Sequence, residues 1–273
     1  MKKLILVVGI LTQSYFGISQ KFEIVKSNNL PYLSGEGIGS GVEFSVVSLT
    51  HDNNYIYGLS LNSSNYIIRF DPKTLEVIDA LVTDLPDYTY KEVRGMKTPD
   101  GITYAGGYLW VAYAPKRKIY KLNKYTGKVL DSIPGPPLTK LYHQYNGFDF
   151  DGKYFWLIRN EQGGSDVVLY KLSKSGKILD ERKISNTYSL GLHYYNGNLY
   201  TIMYDENPEN TLSLKKYSIS SNSFTESYPT GNIRDVNGCP NGVTMMGKYI
   251  YFTTGYSFVE TSRKILKLKV TKE

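Results

Sequence analysis

The sequence predicts an all-β protein, a five-bladed β-propeller, and three observations carry that prediction. A segment of similar pattern recurs five times, starting at Ser48, Gly101, Gly147, Gly191 and Gly242. Each copy alternates strand-like stretches with Asn, Asp and Gly turns. Finally, one strand is missing from the last copy and one unassigned strand stands near the beginning of the chain. Repeats of this length built from short strands are typical of propellers.

The beginning of each repeat has the pattern of a β-hairpin. A first strand is followed by a turn, and seven residues after the start of the repeat comes an aromatic or apolar triplet. Asn, Asp and Gly tolerate the positive φ that tight hairpin turns require. The triplets are Tyr55–Tyr57, Tyr108–Trp110, Tyr154–Trp156, Asn198–Tyr200 and Tyr249–Tyr251.

A third strand follows with alternating apolar and polar residues, and in the first three repeats a short turn leads to a fourth. Four antiparallel strands of this period describe a propeller blade. The tyrosines recur with the same period, which indicates that most of them pack between blades and do not stack on carbohydrate.

The two ends of the chain complement each other. The fifth repeat stops at Glu273 after its third strand, whereas Lys21–Lys26 forms a strand that belongs to no repeat. We expect this strand to complete the last blade, because ring closure leaves no open sheet edge between the termini. The sequence therefore predicts a single domain over residues 20–273, with a six-bladed ring as the alternative.

The first residues have the composition of an export signal. Lys2 and Lys3 precede the apolar run Leu4–Leu11, and Gly17–Ser19 provides a small-residue cleavage site before Gln20. A signal peptide over residues 1–19 predicts a secreted or periplasmic protein. The apolar run is far shorter than the roughly 20 residues that cross a bilayer, so we expect no membrane span.

Charge and cysteine content narrow the function classes. The formal net charge is +7, but the lysines are dispersed, whereas a nucleic-acid footprint needs clustered basic residues. Cys239 is the single cysteine, which excludes an intramolecular disulfide and favours a small buried side chain over a nucleophile. We expect no nucleic-acid partner, and either a monomer or a component of an envelope complex.

Loop length defines a candidate functional face. In a propeller, the loop before the first strand of a blade and the loop between its second and third strands share one side. Here those segments are long, and we name this side the long-loop face; its segments are residues 88–100, 134–146, 229–241, 159–166, 205–210 and 255–263. Loops often carry binding residues. Two charged pairs, Glu92 with Arg94 and Arg159 with Glu161, are either ligand contacts or ion pairs between blades.

A polar residue occupies the same position in the first strand of every repeat. Two positions after each start come Thr50, Thr103, Asp149, His193 and Thr244, and just before three starts come Asp100, Asn146 and Asn241. First strands line the central channel, so these groups predict a hydrated channel that holds a ligand or a hard cation such as Ca²⁺. The alternative is plain turn chemistry, with a ring of threonines that binds only water.

Two repeats resemble blades of the SMP-30/gluconolactonase family. The segments are Thr98–Thr103 with Gly107–Ala112, and Pro240–Val243 with Tyr249–Thr253. In that family the matching Asp and Asn hold a divalent metal that activates water or a lactone. The resemblance implies Asp100 and Asn241 as ligands of Ca²⁺ or another divalent cation. The pattern is also similar to NHL-type, YVTN-type and glutamine cyclotransferase-like propellers, so the resemblance is one of fold.

No complete catalytic motif is visible: the sequence has no Gly-x-Ser-x-Gly elbow, phosphate-binding loop or nucleotide fingerprint. Candidate acid–base groups are His143, placed in the loop Leu141–Tyr145, together with His193 and Asp149. Two functions stay open. The first is an exported binding or scaffold propeller that recognises a protein, peptide or glycan on the long-loop face. The second is a metal-dependent hydrolase or lactonase. The incomplete catalytic set favours the first.

Overall fold

The repeats form five four-stranded antiparallel sheets, and their first strands contact one another in cyclic order around an axis. This arrangement, taken from a computed structural model, confirms the predicted five-bladed β-propeller. The structure describes residues 20–30, 32–35, 38–43, 46–60, 66–86, 101–138, 143–161, 166–185, 188–204, 212–230, 240–255 and 263–272.

The strands follow one another in a regular order along the chain. Strand β1 (Gln20–Asn29) precedes a separate hairpin of β2 (Tyr32–Gly35) and β3 (Ile38–Glu43). Blade 1 contains β4 (Val46–His51), β5 (Ile56–Ser60), β6 (Tyr66–Phe70) and β7 (Val77–Val82). Blade 2 contains β8 (Gly101–Ala105), β9 (Tyr108–Tyr113), β10 (Lys118–Leu122) and β11 (Val129–Pro134), with a 3-10 turn at Ala114–Lys116.

The remaining blades repeat this order. Blade 3 contains β12 (His143–Phe150), β13 (Phe155–Glu161), β14 (Val167–Leu172) and β15 (Ile178–Ser185). Blade 4 contains β16 (Ser189–Tyr195), β17 (Asn198–Tyr204), β18 (Leu212–Ser218) and β19 (Ser223–Pro229). Blade 5 contains β20 (Pro240–Met246), β21 (Tyr249–Thr254) and β22 (Lys264–Lys272).

Strand β1 is the fourth strand of blade 5, which confirms the predicted closure. It pairs antiparallel with β22 from Gln20 opposite Lys272 to Asn29 opposite Lys264. Phe22 is 4% exposed and places its ring 5.6 Å from that of Phe252. The ladder and this buried ring together join the two ends of the chain.

The core lies between the blades, where large side chains of neighbouring sheets interdigitate. The tyrosines there include Tyr57, Tyr113, Tyr145, Tyr170 and Tyr251, all almost completely buried. This placement agrees with the packing role predicted from their period. Burying an aromatic ring of this size supplies a large share of the hydrophobic stabilisation of a sheet protein.

One cross-strand row recurs in every blade and pairs an aromatic residue with a cation. The last aromatic of each triplet lies opposite a cation of the third strand; the pairs are Tyr57–Arg69, Trp110–Lys121, Trp156–Lys171, Tyr200–Lys216 and Tyr251–Lys267. Lys121 also lies 3.8 Å from the ring centroid of Tyr108. Such cation–π contacts fix the register of the second and third strands.

The outermost strand of each blade carries a β-bulge at the same place. Each of the five outer ladders leaves a residue of the fourth strand unpaired at this position; these residues are Val25, Ile78, Leu130, Leu179 and Thr225. The ladder of blade 3 has a second unpaired residue, Ile184. Val25, for example, is 45% exposed. Bulges twist an edge strand and so hinder edge-to-edge association of sheets.

The aligned glycines allow the first strands to approach one another at the axis. A Cβ atom on Gly147 would lie 2.6 Å from Leu192 Cβ and 2.8 Å from the carbonyl carbon of Gly191, both on the next blade. Backbone cannot move away from such a contact without shifting the blade. The glycine at the start of the repeat is therefore a packing requirement of the channel.

Within the described ranges, no helix is long and apolar enough to cross a membrane.

Candidate functional site

The polar residues predicted from the repeat meet in the channel. Thr50, Thr103, Asp149, His193 and Thr244 are all buried, with exposures between 0% and 6%. They lie on β4, β8, β12, β16 and β20, one from each blade. The structure therefore confirms that the shared phase of the first strands places these side chains at the axis.

Hydrogen bonds in this ring run from one blade to the next. The Thr50 hydroxyl oxygen accepts from the Tyr104 backbone N–H at 3.0 Å. The Thr103 hydroxyl donates to Asp149 Oδ1 at 2.5 Å, and the Tyr194 backbone N–H donates to Asp149 Oδ2 at 2.6 Å. Part of the ring thus serves to hold neighbouring blades together.

Asp149 and His193 form a buried carboxylate–imidazole pair. Asp149 Oδ2 lies 2.8 Å from His193 Nδ1, with 8% and 7% of the two side chains exposed. Thr244 Oγ1 is 3.4 Å from the same nitrogen. The carboxylate accepts the proton of Nδ1, so Nε2 is the nitrogen available to another group. Within the described residues, Nε2 is buried and has no hydrogen-bond partner.

The pKa of Asp149 is held below its ordinary value. Burial opposes the charged form, but the adjacent His193 ring and the N–H and O–H donors around the carboxylate more than offset that effect. Asp149 is therefore an anion that orients the imidazole, which is the arrangement of a carboxylate–histidine general base.

A second histidine faces this pair across the channel. The ring centroids of His51 and His193 are 5.7 Å apart. Burial lowers the pKa of His51, and the nearby His193 lowers it further. His51 stands one position beyond the predicted phase. The sequence pattern did not single it out, because only the residue two positions after each repeat start was compared between repeats.

Two asparagines occupy bulges in first strands. Asn146 is skipped between the Tyr145 and Gly147 pairings of β12, and Asn241 lies in the irregular stretch of β20 between Pro240 and Val243. Bulges redirect side chains and are common beside binding sites. The position of these two amides therefore depends on the bulged pairing of the first strand with the second, and not on turn geometry alone.

Both amides have unused hydrogen-bonding capacity. Asn146 Nδ2 donates to the Tyr188 hydroxyl at 2.5 Å, and that hydroxyl donates to Gln144 Oε1 at 2.8 Å. Among the described residues, no partner contacts Asn146 Oδ1 or Asn241 Nδ2, although both atoms are buried. Asn241 as a residue is 6% exposed. One acceptor and one donor are thus available.

The other predicted contacts are placed less completely. His143, expected in a loop, belongs to β12 and pairs with Glu161 of β13; only the backbone of these two residues is described. Arg159 donates to the Pro137 carbonyl at 3.0 Å and stacks on Tyr170. Most of the long-loop segments lie outside the described residues, together with Glu92, Arg94, Asp100 and Cys239.

In the part of the chain that the structure describes, no group of three or more His, Cys, Asp or Glu side chains is arranged to hold a metal ion. Asp149, the acidic member of the ring, is occupied by His193, Thr103 and a backbone N–H. The described residues therefore do not build a metal centre around Asn241.

Comparisons with solved structures show the fold. Myxococcus xanthus glutaminyl cyclase is similar over 94% of this chain and 99% of its own, with a TM-score of 0.66 and 8% identity. The WD40 repeats of RRP9 are similar over 91% and 100%, with a TM-score of 0.50 and 8% identity. No protein-family model matches the chain, and no curated protein matches its sequence. The likeness to these solved structures shows that the chain has a β-propeller fold.

Proposed function

We propose that this chain is an exported binding propeller that recognises a peptide or glycan segment, carried by a protein or free, at the channel mouth on the long-loop face. One observation carries the proposal. Three buried polar atoms without partners, Asn146 Oδ1, His193 Nε2 and Asn241 Nδ2, belong to the first strands of three adjacent blades.

The unused atoms favour a neutral polar ligand. A buried donor or acceptor that stays unpaired costs about 1–3 kcal/mol, so a ligand that pairs with it gains that amount. A peptide unit offers one C=O and one N–H, and a sugar offers hydroxyl groups that both donate and accept. Either matches an amide N–H₂ beside an amide oxygen, whereas an anion would meet the Asn146 oxygen unfavourably.

Export is supported by the composition of the first residues. Two lysines, an apolar run and a small-residue cleavage site precede Gln20. Retention of residues 1–19 in protein purified from the cell envelope, found by mass spectrometry of the N-terminus, would contradict this part of the proposal.

The binding proposal is tested by array screening with matched variants. Purified protein is applied to arrays of synthetic peptides and of defined glycans, and any hit is measured by calorimetry. We expect Asn241→Ala and Asn146→Ala each to weaken binding about tenfold, as the loss of one buried hydrogen bond predicts. Asn198→Ala is the control, because its side chain is partly exposed and donates to the Asn196 carbonyl. Hits that neither channel variant weakens would contradict the proposal.

A second candidate function is cyclisation of an N-terminal glutamine. The Asp149–His193 pair favours it, because Nε2 is placed to take a proton from an attacking amine and return it to departing ammonia. In that reaction the α-amine forms a bond to the side-chain carbonyl carbon while the amide C–N bond breaks. Likeness of fold to a glutaminyl cyclase suggests this substrate. Ammonia release from a glutaminyl peptide, abolished in Asp149→Asn, would support it; no release by the unmodified chain would refute it.

The metal-dependent hydrolase stays a prediction that rests on Asp100 and Asn241. It requires a stoichiometric divalent ion in the purified protein, lost on Asp100→Ala. Elemental analysis after incubation with calcium decides the matter, since recovery of no metal would exclude this function. The binding proposal instead expects Asp100→Ala to leave ligand binding nearly unchanged.

A further inference from the structure

The turn between the third and fourth strands of a blade contacts the preceding blade. Four such turns are described, and each contains one residue with left-handed backbone: Leu75 (φ 62°), Gly127 (φ 72°), Gly176 (φ 81°) and Asn222 (φ 56°). Such a residue lets the chain reverse within a few positions. The turns are therefore equivalent parts of the repeat.

Each of these residues meets the outer strand of its neighbour. Gly127 approaches the Val82 carbonyl so closely that a Cβ atom would lie 2.6 Å from its oxygen, and Gly176 approaches Pro134 in the same way. Asn222 Oδ1 accepts from the Arg182 guanidinium at 2.8 Å. The Asn28 side chain donates to the carbonyl of Leu75 at 3.0 Å, across the junction of blades 5 and 1. Four of the five junctions are closed by a turn.

Within the described residues, the junction between blades 4 and 5 has no such turn. The third strand of blade 5, β22, and its fourth strand, β1, come from distant parts of the chain. They pair side by side up to Gln20 and Lys272. By register, Tyr228 takes the place that Leu81 has on blade 1, since each lies two residues after the acidic residue that pairs with the cation of the cross-strand row. Leu81 is a residue that the next blade's turn contacts, its Cβ lying 3.4 Å from a Cβ on Gly127.

A cleft is present at this junction. Its volume is about 180 Å³, and its walls include Tyr195, Tyr200, Tyr228, Tyr249, Met245 and Val270. The Tyr195 hydroxyl donates to the Gly247 carbonyl at 2.9 Å, and the Tyr228 hydroxyl donates to Glu226. With these two hydroxyls engaged, Tyr195 and Tyr228 offer mainly ring faces to the cleft. Met245 and Val270 add apolar walls, so the cleft is suited to an apolar side chain.

We propose that this cleft binds a β-turn of a partner protein, in the way that the chain's own turns dock at the other four junctions. The turn of blade 1 shows what such a partner must present. Leu75, its left-handed residue, is completely buried in the core between blades 5 and 1. Glu76 follows it directly, and an acidic residue there would suit Lys248 at the wall of the cleft. The partner segment is thus a turn with an apolar side chain followed by an acidic residue.

The probe is a head-to-tail cyclic peptide with the sequence of residues 70–77. Phe70 and Val77 are cross-strand partners in the chain, so cyclisation preserves the turn. The peptide is titrated into the full chain labelled with ¹³C at its methionine methyl groups. We expect saturable binding that shifts the Met245 resonance and leaves that of Met203 unchanged, because Met203 lies in another cluster.

Variants on both sides make the test specific. Tyr228→Ala removes a wall of the cleft and should weaken binding at least tenfold, and a peptide with Asp in place of Leu75 should not bind. Leu81→Ala is the matched control, because it alters the equivalent position at an occupied junction and should leave the affinity unchanged. If Tyr228→Ala does not fold, the proposal is still tested on the unmodified chain. The Met245 methyl resonance should then shift with the original peptide and not with the peptide that has Asp in place of Leu75. The proposal would be overturned if the peptide caused no saturable shift of Met245. It would also be overturned if a sugar such as cellobiose bound in the cleft and the peptide did not.

Discussion

Replacement of Phe22 by alanine measures how much the closure of the ring contributes to stability. Phe22 is 4% exposed and packs on Phe252 and Tyr228 within the cluster that joins blades 4 and 5. Removing a buried phenylalanine ring from a packed core costs about 3–5 kcal/mol. With a urea dependence of about 3 kcal/mol per molar for a domain of this size, the midpoint should fall by about 1 to 1.7 M.

The control is Val25→Ala on the same strand. Val25 is the bulged residue of β1 and is 45% exposed, so its truncation should change the free energy of unfolding by no more than about 0.5 kcal/mol. Both unfolding curves are recorded by near-UV circular dichroism and by tyrosine fluorescence, since coincident transitions justify a two-state treatment. Equal midpoints for the two variants would refute the inference that β1 is packed into blade 5.

Two further substitutions test the channel. Asp149→Asn should cost about 3 kcal/mol or more at pH 7, because it breaks a buried pair. The lowered pKa means that the unmodified chain keeps this stabilisation above about pH 4 and loses it below, whereas the variant shows no such acid-dependent loss. Asp79→Asn is the control, because Asp79 pairs with Arg69 at a partly exposed site, and a similar loss there would contradict the reasoning. Gly147→Ala should lower the midpoint strongly because its Cβ would meet Leu192 at 2.6 Å. Gly197→Asn, in an open left-handed turn, should be tolerated; equal effects would refute the packing argument.

The architecture was predictable from sequence because its signal repeats. A hairpin pattern that recurs in phase five times averages out local ambiguity, and the unpaired strand at Lys21–Lys26 specified how the ring closes. Strands β18 and β19 of blade 4 were harder to identify, since their turn uses serines and the left-handed Asn222 where blades 2 and 3 have glycine. The hairpin of β2 and β3 lies outside the repeats and so left no periodic signal.

The channel pair was within reach of sequence reasoning, but its detail was not. Asp149 and His193 stand at the same phase of adjacent blades, so their proximity follows from the alignment of the repeats. Contact between His51 and His193 depends instead on how narrow the channel is, which strand patterns do not encode. Strand β12 begins at His143, before the bulge at Asn146, because the residues ahead of the bulge still pair with β13. The sequence pattern does not encode this pairing, and this is why a loop was expected there.

Pairing of β1 with β22 also sets the order of events during synthesis. Strand β1 is the first strand of the propeller to leave the ribosome, and its partner β22 is the last. The edges that β1 and β22 share in blade 5 stay unpaired until β22 has been made. Contacts between such distant segments slow folding and leave sheet edges open to wrong pairing in the meantime. The newly made chain is therefore most vulnerable to aggregation just before its final strand emerges, and a chaperone that shields β1 would act in that interval.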